Sequence, residues 1–303
     1  MILRQPLRYL SRCKNFERFL KVNPWARRAA SRFVAGESRD EALRVAAELN
    51  REGFKVTLDY LGEEVTRSEE ARLAAEEQAA AVEAAAVAKL DLGLSVKLSH
   101  LGVLIDEGLA EENLRMICQR AAAAGRFVRV DMEGSNLTSG TLAMVQRVHE
   151  DLPVIGTVIQ SALKRSSADI ETLNRRGISV RLVKGAYLEP SDLAFQRREE
   201  ITLYFMRLTE SLFRDGYRPA IATHEDLLID YAIDMAFIYG RAPEEFEFQM
   251  LYGIRRDLQE KLRDQGYRVR IYLPYGSDWY GYFMRRLAER PANLWFLLRH
   301  LRN

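Results

Sequence analysis

The chain has 303 residues, 48% of them hydrophobic and 29% charged. That is enough apolar material for one large α/β barrel or two ordinary domains, and it argues against disorder. A formal net charge of +2 argues against a dedicated nucleic-acid binder, and two cysteines, Cys13 and Cys118, are too few for a disulfide scaffold.

No apolar run approaches the ~20 residues needed to span a bilayer, and the first residues lack the apolar core of a secretory signal. With so few cysteines, the expected setting is the reducing cytoplasm. Residues 1–50 read as an N-terminal helical extension and 51–303 as the catalytic barrel. From Arg4 to Arg32, nine basic residues stand against one acid, Glu17, with Leu7, Leu10, Phe16, Phe19, Leu20 and Trp25 among them. Such a stretch fits a helix packed on the body with a solvated basic face, or a peripheral contact with an anionic inner-membrane surface. An organelle transit peptide is opposed by Pro6, Pro24 and the scarcity of serine.

A helix over Ser38–Asn50 precedes eight short apolar runs: Phe54–Leu61, Leu94–Ser99, Phe127–Met132, Pro153–Gln160, Ile178–Val183, Ala220–His224, Glu247–Leu251 and Val269–Leu273. Helical patterns alternate with them at Ser68–Lys89, Glu111–Ala124, Ser139–Glu150, Ser166–Arg176, Leu193–Arg214, Asp226–Tyr239 and Arg256–Gln265. Gly125, Gly177, Gly216 and Gly266 close helices just before the next strand. Eight strand–helix units in this length predict a TIM-type (β/α)8 barrel, and the absence of G-x-G-x-x-G after any strand disfavours a Rossmann domain.

Active sites of such barrels form at the C-terminal strand ends. Those ends carry Lys97, Asp131 with Glu133, Gln160, Arg181 with Lys184, Thr223 with His224, Gln249, and Tyr272 with Tyr275. Ordinary turns would offer Gly, Asn, Asp and Ser instead, so this rim predicts a ligand site. In the run Arg181–Tyr187, Arg181 is expected to point inward, and Lys184-Gly185-Ala186 pairs a cation with small residues that let a ligand approach the backbone. A Schiff-base role for Lys184 in an aldolase-type barrel is the chemical rival.

The run Asp278–Arg290 predicts a last helix with Ser277 as its N-cap. Tyr282, Arg285, Arg286 and Glu289 lie at offsets 0, 3, 4 and 7 and share one face. Two guanidiniums there can clamp a carboxylate, with Glu289 orienting them; a surface salt-bridge helix is the plainer alternative. The four histidines, His100, His149, His224 and His300, are scattered, so no metal site is expected.

Taken in order, Val96–Ser99, Val130–Glu133, Val158–Gln160, Arg181–Tyr187, Ala222–His224, Phe246–Leu251, Tyr272–Gly276 and Tyr282–Glu289 resemble the motifs of proline dehydrogenases, both stand-alone bacterial enzymes and the corresponding domain of bifunctional proline-utilisation proteins. The resemblance runs from about residue 35 to the end. It implies a distorted (β/α)8 barrel with the last helix over its mouth, and FAD-dependent oxidation of L-proline to Δ1-pyrroline-5-carboxylate, the first step of proline catabolism. Hydride would pass to flavin N5 and electrons to a membrane quinone, with a functional link to pyrroline-5-carboxylate dehydrogenase. By the same resemblance Arg285 and Arg286 hold the proline carboxylate with Glu289 beside them. Lys97 and Asp131 lie by the substrate, and Tyr272, Tyr282 and Leu251 wall its ring. Met132, Gln160, Arg181, Lys184, Gly185, Ala186, Thr223 and His224 would bind FAD, with Arg181 near N5. Leu188 stands where the bifunctional proteins carry tryptophan against the flavin. A non-enzymatic membrane adaptor, resting on the basic stretch, would leave the polar rim without a purpose.

Overall fold

The computed structural model describes Asn23, Arg28 and residues 30–289. Helix α1 (Arg39–Arg51) leads into eight strands: β1 (Lys55–Tyr60), β2 (Leu92–Val96), β3 (Val128–Val130), β4 (Ile155–Gln160), β5 (Val180–Val183), β6 (Ala220–Ala222), β7 (Glu247–Leu251) and β8 (Val269–Tyr275). They pair in parallel in chain order and close when β8 returns to β1, with Val56 opposite Ile271. Between them run α2 (Ser68–Val87), α3 (Glu107–Ala123), α4 (Ser135–Asp151), α5 (Ser166–Arg175), α6 (Arg198–Asp215), α7 (Asp226–Ile238) and α8 (Arg256–Asp264); α9 (Trp279–Glu289) follows β8.

The strands are buried on both faces, with apolar residues turned outward to the helices and polar ones such as Ser95, Arg129 and Thr157 turned into the barrel. Outward residues such as Val56, Leu94, Val130 and Ile271 join a single core with the helices. The Ser38 hydroxyl accepts from Glu41 N while Glu41 reaches back to Ser38 N, a capping box that starts α1. Ala42, Ala46 and Leu49 then place α1 in that same core, against β1 and β8. It occupies the flank of β8 where an eighth outer helix would otherwise pack.

That position is open because α9 lies elsewhere. Trp279, Tyr282, Phe283 and Met284 form a second apolar cluster with Phe33, Val34, Leu61 and Ile254, so α9 sits against the segments that follow β1 and β7. The last helix is thus at the C-terminal end of the barrel, as expected.

Three helix starts differ from the sequence reading by more than one residue. α3 begins at Glu107, where the Asp106 side chain accepts from Leu109 N at 2.7 Å. α4 begins at Ser135, whose backbone N–H donates to Glu189 of a distant loop. α6 begins only at Arg198, because Pro190–Leu193 form a turn and Ala194 bridges Leu163. At α9, Ser277 stands one residue further out than an N-cap, since the helix opens at Trp279. The basic stretch from Arg4 lies mostly outside the described residues. Among those described, no helix is long and apolar enough to cross a membrane.

Candidate active site

The alternation of a strand puts every second side chain inside the barrel. Here much of that interior is charged rather than filled by branched apolar residues. Ser95 on β2, Arg181 on β5, Gln249 on β7 and Tyr272 on β8 converge with Asp131, one residue beyond β3. Arg181 donates through Nη1 to Asp131 Oδ1 at 2.8 Å and to Ser95 Oγ at 3.1 Å, and through Nε to Gln249 Oε1. Its guanidinium lies 5.3 Å from the centre of the Tyr272 ring. Arg181 Nη2 is buried without a hydrogen-bond partner.

Asp131 is the hub. It also accepts from Ser95 Oγ at 2.7 Å and Tyr272 Oη at 2.8 Å, and Lys97 Nζ stands 3.5 Å away. Burial alone would raise its pKa, but the facing charges of Lys97 and Arg181, with the Ser95 and Tyr272 hydroxyls, hold the carboxyl below its ordinary value. Lys97 is itself gripped by Asp59 at 2.7 Å. Burial opposes its charge, yet the Asp59 and Asp131 carboxylates outweigh that and raise its pKa, so Lys97 stays an ammonium. Tyr272 is pushed well up by burial and by Asp131 and Asp59, so it remains a phenol that donates.

A lower layer supports this one. Glu247 accepts from Arg270 Nε at 2.8 and 3.0 Å and from the Gln249 amide, while Arg270 Nη1 donates to Val56 O at 2.8 Å. Burial would raise Glu247, but the charge and bonds of Arg270 bring it down to about 2. Arg129 donates to Thr157 O and Ser179 O, and burial together with the nearby Arg181 charge lowers it to about 9.

On the β4–β5 side, Gln160 Nε2 donates to Glu133 O at 2.9 Å, and its Oε1 lies 2.7 Å from where a Cβ on Gly185 would stand. Gly185 has φ +106, which an L side chain rarely adopts. Gly185 and Ala186 are exposed, while Met132 and Thr223 are buried at neighbouring strand ends. Thr223 Oγ1 accepts from Glu225 N, and His224 Nε2 accepts from Leu251 N at 3.0 Å, which leaves its proton on Nδ1. Lys184 turns outward, donating to Thr202 Oγ1 at 2.8 Å and pairing with Glu225 at 2.7 Å. A lysine held outward on Thr202 and Glu225 does not project into the barrel mouth, so the Schiff-base reading loses its ground.

On α9, Tyr282 is buried, Arg286 lies 5.2 Å from the centre of its ring, and the half-exposed Arg285 pairs with Glu63 at 3.1 Å. Leu251 packs against the same cluster. The side chain of Glu289 lies outside the described residues. Glu63, not foreseen, is thus a carboxylate that meets this helix, as is Glu37, which accepts from Trp279 Nε1 at 3.0 Å. Asp59 and Ser95 were also missed, although a lone carboxylate in the apolar run Val56–Leu61 was a visible signal. Among the described residues no group of histidine, cysteine or carboxylate side chains could hold a metal ion.

The proline dehydrogenase family model matches residues 42–299. The chain is 39% identical to "Proline dehydrogenase 1" of Bacillus subtilis strain 168 over 98% of both chains. It is also 39% identical to the proline dehydrogenase of Deinococcus radiodurans, over 89% of this chain and 88% of that one. A crystal structure of proline utilization A from Bdellovibrio bacteriovorus, inactivated by N-propargylglycine, superposes with a TM-score of 0.81 at 26% identity. That likeness covers 87% of this chain but only 33% of the longer protein. A charged barrel interior beneath an arginine-bearing last helix, together with a family match over most of the chain and 39% identity over nearly its full length, gives one conclusion: the chain belongs to the proline dehydrogenase family.

Proposed function

We propose that the protein oxidises L-proline to Δ1-pyrroline-5-carboxylate with FAD as its cofactor. The observation that carries this is Arg181: a buried guanidinium fixed on two nitrogens, with Nη2 left for an acceptor the protein does not provide. The exposed backbone at Gly185 and Ala186, with no Cβ at Gly185 to crowd Gln160, supports the fit of a flavin dinucleotide. Met132, Gln160, Arg181, Lys184, Gly185, Ala186, Thr223 and His224 would hold it. Bound FAD would supply the hydride acceptor that no side chain offers.

The chain's own residues do the rest. Arg285 and Arg286 would bind the substrate carboxylate, and Leu251, Tyr272 and Tyr282 would give its ring an apolar wall. Fixing both ends of a small ring restricts it to a few orientations, which is where most of the rate gain of a positioned reaction arises. The Lys97 ammonium disfavours a second cation nearby, and Asp131 already faces Lys97 and Arg181. The pocket therefore favours the neutral amine, whose lone pair must assist loss of hydride. A membrane quinone is the expected final acceptor. The basic, apolar stretch from Arg4 to Arg32 supports a peripheral position on the cytoplasmic side of the inner membrane. An enzyme that oxidises pyrroline-5-carboxylate onward is the expected functional partner.

The test is direct. The purified protein should carry flavin absorbance, and anaerobic L-proline should bleach it. Proline turnover by a flavin-free preparation, or a flavin that proline does not bleach, would refute the assignment.

A further inference from the structure

Gln249 is 5% exposed and stands between two partners whose hydrogen-bonding roles are fixed. On one side Arg181 Nε–H can only donate; on the other the Glu247 carboxylate can only accept. One orientation of the Gln249 amide satisfies both, with Oε1 toward Arg181 and Nε2 toward Glu247. Glu247 cannot drift, because Arg270 holds it with two bonds and is tied in turn to the β1 carbonyl of Val56. The chain of contacts therefore runs from the β1–β8 seam through Arg270, Glu247 and Gln249 to Arg181.

Arg181 needs such a tether. A second guanidinium, Arg129, lies close enough beneath it for their charges to interact. Repulsion from below and an unmatched Nη2 would both favour another rotamer. Asp131 and Ser95 hold only Nη1, so they leave the guanidinium free to pivot about that nitrogen. The bond from Nε to Gln249 is the second fixed point that stops the pivot.

We propose that Gln249, anchored by the Glu247–Arg270 pair, is the positioning residue that sets the Arg181 guanidinium against the redox group. This rests on the reading above that Arg181 borders the flavin. Gln249→Met keeps the volume and removes both bonds. Gln249→Asn keeps an amide but withdraws it by one methylene, and it tests the same contact should the methionine variant fail to fold.

Midpoint potentials of the bound flavin decide the matter, measured in the parent, Arg181→Met, Gln249→Met and the double variant. With the cation displaced, the reduced and more negative flavin is stabilised less, so Gln249→Met should lower the potential by about 30 mV, the tenfold equivalent for a two-electron couple. The double variant should then match Arg181→Met alone, because a positioning residue has nothing left to position. In turnover, kcat should fall while KM for proline stays within about twofold.

If Arg181→Met lowers the potential and Gln249→Met does not, the positioning role is overturned and the functional reading stands. If the two shifts add in the double variant, Gln249 acts independently of Arg181 and the proposal fails. If neither change moves the potential, Arg181 does not border the flavin, and both readings fall together.

Discussion

Replacing Glu247 by glutamine removes one charge from the barrel interior and leaves the shape. An amide oxygen in the place of Oε1 can still accept from Gln249 and Arg270, but the NH2 in the place of Oε2 then faces the Arg270 Nε–H, donor against donor. Two routes give the size of the loss. Breaking a buried ion pair by deleting one member costs about 3–5 kcal/mol. Independently, a carboxyl lowered from 4.5 to about 2 contributes about 3 kcal/mol, at 1.36 kcal/mol for each tenfold in proton affinity. The sign follows from the direction. Because the folded pKa is depressed, this stabilisation is complete above about pH 4.5 and is lost as pH falls toward about 2, where the folded parent also carries a neutral Glu247. Thermal unfolding monitored by circular dichroism at pH 7 should place Glu247→Gln roughly 6–12 °C below the parent, taking 2–4 °C per kcal/mol. At pH 3 about 1.4 kcal/mol remains, so the gap should narrow to roughly 3–6 °C. A gap of the same size at both pH values would mean that the charge of Glu247 is not what stabilises the barrel interior.

Three further outcomes are expected. Arg285→Lys and Arg286→Lys keep the charge but lose the planar fork, so each should reduce kcat/KM for proline by about 10- to 150-fold, the equivalent of 1.5–3 kcal/mol. Melting temperature should hardly move, because the Arg285–Glu63 pair is half exposed. Normal kinetics in both would make the face a surface salt-bridge helix. Gly185→Ala forces a side chain into φ +106 and against Gln160, at about 1–2 kcal/mol for the backbone alone. It should lose flavin on gel filtration, and full retention would remove Gly185 from the cofactor site. Deleting residues 1–27 spares Ala30, whose carbonyl accepts from Phe33 and Val34. The truncated protein should sediment less with anionic vesicles while keeping turnover with a soluble dye acceptor, and unchanged sedimentation would end the membrane role.

All eight strands were legible in the sequence because the helix-covered outer face of the sheet demands an apolar residue at every second position, as at Val128 and Val130, between helical patterns. The ends of those strands then named Lys97, Asp131, Arg181 and Tyr272, which the fold does bring into one network. What stayed hidden depends on distance along the chain. Glu63 and Arg285 are 222 positions apart, and no local pattern pairs them. The start of α4 is set by Glu189, 54 positions away, so a search for a local capping residue could not place it. The amide of Gln249 was visible as a polar rim residue, but its task follows from Arg270 and Arg181, on the two strands β8 and β5.

The place of α1 beside β8 shapes how the chain can be made. Residues 39–51 emerge early from a ribosome, yet one of the surfaces they cover belongs to Val269–Tyr275. Until that strand is synthesised, Ala42, Ala46 and Leu49 lack part of their cover, and β1 and β7 each present an unpaired edge to the solvent. Ring closure is then a late, single event that pairs two strands at once and seats the first helix. A ribosome stalled before β8 would hold an open sheet with two adhesive edges, the species on which a cell's chaperones would have to act.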